Sequence, residues 1–97
     1  MKDVIVVTSQ FRRLWERVDD SSQQWNSYAD AMLGWELIVQ RMLWDMGYDA
    51  QIEHTSYFLT DVYERVGPDK HKPASGIIRQ HIEDAIATVT LDDALVD

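Results

Sequence analysis

Residues 22–46 read SQQWNSYADAMLGWELIVQRMLWDM, and this stretch decides the predicted fold. Its apolar side chains recur at alternating steps of three and four, which is typical of an amphipathic helix. They form a single stripe that consists of Trp25, Tyr28, Met32, Trp35, Val39, Met42 and Met46. Asp20, Ser21 and Ser22 can cap the start of such a helix, and Gly47 marks its end. The spacing therefore predicts one long helix over 22–46.

A second, shorter apolar stripe lies roughly 150° around the same helix. It consists of Leu33, Leu37 and Trp44. A helix that is apolar on two sides needs protein on both of them. We therefore predict that this helix is central, that other helices pack on both flanks, and that the second stripe is covered.

The segment before this helix allows two interpretations. Val4-Ile5-Val6-Val7 is a β-branched run that favours a strand. The wider set Val4, Val7, Phe11, Leu14 and Val18 continues the three-four spacing of a helix. We predict a helix from about Lys2 or Thr8 to Val18, with a strand over 3–7 as the alternative. A turn at 19–22 would make a helical hairpin with the central helix, and a kink in one continuous helix is a weaker alternative.

The remaining chain predicts two more helices. Residues 48–53 show no helical stripe and indicate an extended connector. A third helix is expected from Thr55 with an apolar face of Phe58, Leu59, Val62, Tyr63 and Val66, and Gly67-Pro68 should end it. A polar loop follows at 69–73, then a fourth helix from Ser75 and a short capped turn within 90–96. The predicted fold class is all-α, a small four-helix bundle-like domain that spans 1–97.

Composition restricts the function. The formal net charge is −8, with seventeen acidic and nine basic residues, and there is no cysteine. Such a chain is a poor candidate for binding phosphates or an anionic membrane, and a better one for a basic protein surface. The longest apolar run is too short for a membrane span, and the start of the sequence lacks a signal-peptide pattern. We expect a cytoplasmic protein without disulfides.

Catalytic and nucleic-acid-binding functions are not expected. Three i,i+3 pairs contain carboxylates: Glu16 with Asp19, Asp61 with Glu64, and His81 with Asp84. On the predicted helices these carboxylates point away from the core, where a bundle would hold metal ions. His81 alone lies near a core boundary, where a histidine is more often a packed residue than a ligand. The connection over 67–74 is too long for a helix-turn-helix, and the following helix carries Glu83 and Asp84, which repel phosphate. The sequence predicts no catalytic residues, no metal and no cofactor.

Five polar residues are the candidate partner-binding residues. Glu36 and Gln40 lie between the two apolar stripes of the central helix, where an enclosed carboxylate needs a partner such as Arg12, Arg13 or Arg17. The other three form an acidic series of Asp45, Asp49 and Glu53. Asp45 falls in the last helical turn, where the helix dipole disfavours negative charge by ~0.3–1 kcal/mol.

The aromatic content indicates self-association. Four Trp, four Tyr and four Met are more large side chains than so small a domain is expected to enclose, and these residue types also populate interfaces. We predict a small acidic protein-interaction module that forms a homodimer. By analogy in size and charge, it would act as an inhibitor of the kind that phages and mobile elements encode. The alternatives are a homo-oligomeric structural protein and, less favoured, a metal-dependent helical-bundle enzyme.

Overall fold

The fold is α+β, so the all-α, helical-bundle prediction is wrong. A computed structural model describes residues 2–17, 28–54 and 61–90. The described elements are, in chain order, β1 (Lys2–Val7), α1 (Ser9–Arg17), α2 (Tyr28–Asp45), β2 (Tyr48–Glu53), β3 (Val62–Gly67), β4 (Lys70–Pro73) and α3 (Gly76–Ile86).

The N-terminal β-branched run forms the central strand of the sheet. The four strands have the order β2-β1-β3-β4, so β1 has a neighbour on each side. Val4, Ile5, Val6 and Val7 are all buried, although successive side chains of a strand point to opposite faces. A strand covered on both faces is expected to be apolar at every position rather than at alternate ones. The strand alternative for 3–7 is therefore correct, and the helix begins only at Ser9.

The sheet is mixed, and its pairings are long-range. β1 runs parallel to β2, with Val4 opposite Ala50. On its other side β1 runs antiparallel to β3, with Val4 opposite Glu64. The predicted connector over 48–53 is thus a paired strand. A parallel pair requires a crossover connection, and α1 and α2 lie within it.

The predicted third helix is wrong over 62–67, which form β3. Val62 and Glu64 are buried and Tyr63 and Arg65 are half-buried, so the segment alternates with the period of a strand. Its helical pattern depended on Phe58 and Leu59, which lie outside the described residues. Pairing with β1 determines the structure of this segment.

The predicted polar loop over 69–73 is also a strand. β4 pairs antiparallel with β3, and Pro68 and Asp69 connect the two strands. Asp69 has a φ of 57°, in the left-handed region that a short polar side chain tolerates better than most. Proline at the preceding position fixes its own φ and favours a tight turn.

The three described helices pack on one face of the sheet and enclose the main core there. This core joins Val4 and Val6 of β1, Ala50 of β2 and Val62 of β3 to apolar residues of the helices, namely Phe11, Ala31, Trp35, Val39, Leu43, Ile82 and Ile86. An aromatic cluster closes it between α1 and α2, where the ring centroids of Phe11 and Trp35 are 5.6 Å apart. The long helix therefore covers the sheet with its Trp35 stripe, whereas the sequence argument expected other helices on both of its sides.

The helix ends agree with the predicted signals where the structure describes them. Gly47 follows α2 with a φ of 94°, which a glycine adopts without steric cost. Ser75 caps α3, and its hydroxyl accepts a hydrogen bond from the backbone N–H of Ile78. Three predicted features lie outside the described residues: the turn at 19–22 with residues 22–27 of the central helix, the start of the third helix at Thr55, and the tail after Thr90. The single domain over 1–97 stays a prediction.

Candidate interaction surface

The outer face of α2 exposes three large apolar side chains. Leu33, Leu37 and Trp44 are 56%, 61% and 46% exposed. At 100° per residue they lie opposite the buried Trp35. The prediction that this second stripe is covered is wrong, because α2 packs against the sheet with one side only. We call Leu33, Leu37 and Trp44 the outer stripe.

A groove borders the outer stripe toward the C-terminal end of α2. It has a volume of about 570 Å³ and is lined by Leu37, Ile38, Arg41, Met42, Asp45 and Met46. Arg41 and Asp45 are an exposed i,i+4 pair, with the Arg41 Nε and Asp45 Oδ1 3.5 Å apart. Their opposite charges cancel locally on a chain that is acidic overall. The surface therefore combines apolar area with little net charge.

Glu36 is paired within the chain, but not with a predicted arginine. The His54 Nε2 lies 2.8 Å from the Glu36 Oε1. This distance is that of an ion pair when His54 is protonated, although the angles are not those of a hydrogen bond and the Glu36 Oε1 is buried without one. His54, the residue just after β2, thus lies against Glu36 where the sequence argument expected an arginine.

Gln40 fastens α2 to the edge strand β2. Its Nε2 donates a hydrogen bond to the backbone oxygen of Ala50, at 3.1 Å. The carbonyl of Glu53 accepts from the Thr8 N–H on the β1 side. Because carbonyl directions alternate along a strand, the Ala50 carbonyl points away from β1. Gln40 therefore covers an acceptor at the free edge of the sheet.

The acidic series does not form one cluster. Asp45 is exposed at the end of α2, Asp49 is exposed on β2, and Glu53 is half-buried at the end of β2. Asp49 lies directly opposite Asp3 of β1 in the parallel register. Like charges at opposed positions destabilise a sheet. The face of the sheet away from the helices therefore carries an acidic pair that sequence spacing could not show.

The structure also shows a buried carboxylate that the sequence argument missed. Glu64 is 6% exposed and points toward the helices. Its Oε1 accepts from the Lys2 Nζ at 2.8 Å, and its Oε2 accepts from the Ser75 N–H at 3.2 Å. The hydrogen bond from Lys2 lowers the pKa of Glu64, against the opposing effect of burial. Only the pairing of β1 with β3 brings these residues together.

Asp61 is the centre of a second polar cluster, at the start of α1. Its carboxylate accepts hydrogen bonds from the Ser9 hydroxyl and the Arg13 guanidinium. Ser9 begins α1, where backbone N–H groups and the helix dipole favour an anion. One oxygen of Asp61 accepts from Ser9 and the other from Arg13, so both oxygens are engaged by donors. It is suited to fixing the β1–α1 corner.

Metal-ligand geometry is not found in the described part of the chain. No group of three or more His, Asp or Glu side chains there could hold a metal ion. Of the three predicted i,i+3 pairs, Asp61 and Glu64 belong to separate clusters, and the His81 Nδ1 lies 2.9 Å from the Tyr48 hydroxyl. Asp19 lies outside the described residues.

A smaller cavity of about 170 Å³ lies among the three described helices. It is lined by Gln10, Leu14, Trp35, Glu83, Ile86, Ala87 and Val89. The Gln10 Nε2 is buried and makes no hydrogen bond. Most ligand pockets have volumes of about 300–1,000 Å³, so this cavity is small for a ligand site.

No protein-family model, curated protein or solved structure matches this chain. None of the helices within 2–17, 28–54 and 61–90 has the length and apolar character to cross a membrane.

Proposed function

We propose that this chain is a protein-interaction module whose contact surface is the outer face of α2. The observation that carries the proposal is the exposure of Leu33, Leu37 and Trp44 on one face of one helix. Single exposed apolar residues are ordinary, but large ones aligned along a helix are typical of a surface that another protein covers. Trp is also among the residues that contribute most to binding energy.

The groove supports the same surface. Met42 and Met46 line it, and unbranched thioether side chains adapt to different partners. The neighbouring polar residues Glu36 and Gln40 already contact His54 and Ala50. They therefore support α2 from within, and binding by either residue stays a prediction. An inhibitory role also stays a prediction, since it depends on size and charge alone.

A photoreactive residue tests the proposed surface. Benzoylphenylalanine replaces Leu37 in the outer stripe, and the matched control replaces Ile77, which is 86% exposed on α3. After irradiation in cells that express the chain, we expect a covalent adduct with a protein from position 37 and none from position 77. Absence of an adduct at position 37 would overturn the proposal, and equal labelling from both positions would do so too.

The acidic pair supports a second candidate function, the binding of a basic protein surface by Asp3 and Asp49 at the sheet. A cationic partner would relieve the repulsion between Asp3 and Asp49, which are opposed in the register. Calorimetric titration with oligolysine should show binding that weakens with salt and falls in Asp3→Asn/Asp49→Asn. The control double variant Asp69→Asn/Asp84→Asn removes the same amount of charge at other positions and should leave the binding of oligolysine unchanged. Equal losses in the two double variants would refute this candidate.

A further inference from the structure

We infer that the partner of the outer stripe is a second copy of this chain, docked with its α2 antiparallel to the first. The inference rests on the proposed function and identifies the protein that binds the proposed contact surface. Antiparallel pairing about a two-fold axis gives the same contacts twice, which requires a surface that is complementary to itself. The outer stripe meets this requirement by sequence position, by charge and by accessibility.

The two ends of the stripe, Leu33 and Trp44, lie at equal distances from its middle. The midpoint between Leu33 and Trp44 falls between Ile38 and Val39, and Leu37 lies beside it. With the two-fold axis at that level, Leu33 of each copy lies opposite Trp44 of the other. Each Leu37 lies level with Gln40 of the other copy, and the two Leu37 positions are about 4.5 Å apart along the helix axis. Residues 32–45 of the two helices then overlap over about 21 Å.

Charge at this face does not oppose a second copy. Arg41 and Asp45 are the charged residues of the groove, and they compensate each other at 3.5 Å. Glu36 lies beside the stripe but its side chain is 15% exposed and faces His54. Two chains of formal charge −8 still repel each other at long range. Salt screens this repulsion without weakening apolar contact, so dimerisation should become stronger as salt increases.

The described sheet edges do not compete for self-association. β4 has only four residues and contains two lysines and a proline, which block pairing with another strand. At the opposite edge, Gln40 covers the outward carbonyl of Ala50. One helix per chain is a small interface, below the ~1,200 Å² of stable complexes, so we expect a dissociation constant of roughly 10–100 μM.

Sedimentation equilibrium of the full chain tests this partner. Up to about 500 μM, the wild type should show a monomer–dimer equilibrium that salt strengthens, and Leu37→Glu should weaken it at least ~10-fold. Ile77→Glu introduces the same charge at an exposed helical site outside the stripe and should change the constant less than ~2-fold. A wild type that stays monomeric at about 500 μM overturns the inference. Equal weakening by Leu37→Glu and Ile77→Glu does so as well.

Cysteine cross-linking tests the orientation, because the chain has no cysteine of its own. A mixture of Leu33→Cys and Trp44→Cys chains should oxidise to a mixed disulfide dimer faster than either variant alone. Faster self-cross-linking of each variant indicates parallel helices and overturns the antiparallel arrangement. A monomeric wild type whose position-37 photoprobe labels a different protein overturns the second copy as partner but keeps the proposed function.

Discussion

At the scale of single residues, the pair of Lys2 and Glu64 connects three elements. Glu64 of β3 accepts from Lys2 of β1 and from the backbone of Ser75, the cap of α3. A buried carboxylate stays ionised only when such donors compensate the lost hydration. Removing Lys2 should therefore disturb the sheet and the start of α3 together.

The pH dependence of stability tests this pair. The pKa of Glu64 is lower in the folded chain than in the unfolded one. Its contribution is thus complete above the unfolded pKa and is lost as the pH falls through the folded pKa. Lys2→Met should lower the free energy of unfolding by about 1–2 kcal/mol near pH 7 and should flatten the loss below the unfolded pKa.

Urea unfolding at several pH values measures this effect, with Lys70→Met on the exposed edge strand as the control. Lys70 forms no part of the contacts of Glu64, so its removal should leave the acid dependence unchanged. Identical acid dependence in the wild type and Lys2→Met would contradict the assigned role of Lys2.

From sequence alone, one can predict that an enclosed carboxylate needs a contact more readily than which residue provides that contact. The position of Glu36 between two apolar stripes predicted an enclosed carboxylate on the condition that both stripes are covered; the Glu36 side chain is 15% exposed although the second stripe is not covered. The partner is His54 rather than an arginine of the first helix, because β2 returns beside α2. The contact between Lys2 and Glu64 could not be predicted from the sequence, since the residues are 62 positions apart and meet only through strand pairing.

At the scale of elements, the segments with a clear helical stripe were predictable. Of the strands, β1 was foreseen only as an alternative and β2 only as an extended connector, and β3 and β4 were not foreseen. The Trp35 stripe of α2 and the Ser75 cap of α3 correspond to described helices. In β1 the apolar run lacks alternation because both faces are buried, so its pattern resembles part of a helix. β3 carries a buried Glu64 at a core-facing position, which hides its alternation.

Two turn residues have a positive φ, and substituting them should change the free energy of unfolding in opposite directions. Gly47 has a φ of 94° and its missing Cβ would meet nothing within 4 Å, so Gly47→Ala isolates backbone strain. We expect it to lower the free energy of unfolding by about 1 kcal/mol. Asp69 has a φ of 57°, so Asp69→Gly should raise this free energy by about 0.5 kcal/mol, with the flexibility of glycine in the unfolded chain offsetting part of the gain.

Thermal or urea unfolding of the two variants measures both shifts, and Asp69→Asn is the control because asparagine also tolerates this backbone conformation. An unchanged Gly47→Ala variant, or a less stable Asp69→Gly variant, would show that these turns relax to other conformations.

At the scale of the whole molecule, the packing of the described helices on one face of the sheet explains why the prediction that α2 is covered on two sides is wrong. A bundle would cover a central helix on two sides, whereas a sheet covers it on one. The outer stripe was visible in the sequence, but its exposure depends on this architecture. The parallel pairing of β1 with β2 leaves no local signal, because it joins segments separated by two helices.

The edge contact of Gln40 has its own consequence for association. Gln40→Ala removes one hydrogen bond and should lower the free energy of unfolding by about 1 kcal/mol. It also uncovers the Ala50 carbonyl at the edge, so sedimentation should show added self-association that persists in the presence of Leu37→Glu. Gln80→Ala, which removes an exposed contact with Asp84, is the control and should change stability by less than about 0.5 kcal/mol. If Leu37→Glu abolishes the added self-association of Gln40→Ala, then Gln40 does not protect the edge of the sheet.

The central position of β1 also determines when the chain can fold during synthesis. Val4 acquires its two strand neighbours only when Ala50 and Glu64 have left the ribosome. Because translation adds about 5–20 residues per second, the aliphatic run of β1 lacks its native neighbours for several seconds. Nascent chains that stop before β3 should accordingly bind chaperones, and release should begin only once the hairpin has been translated.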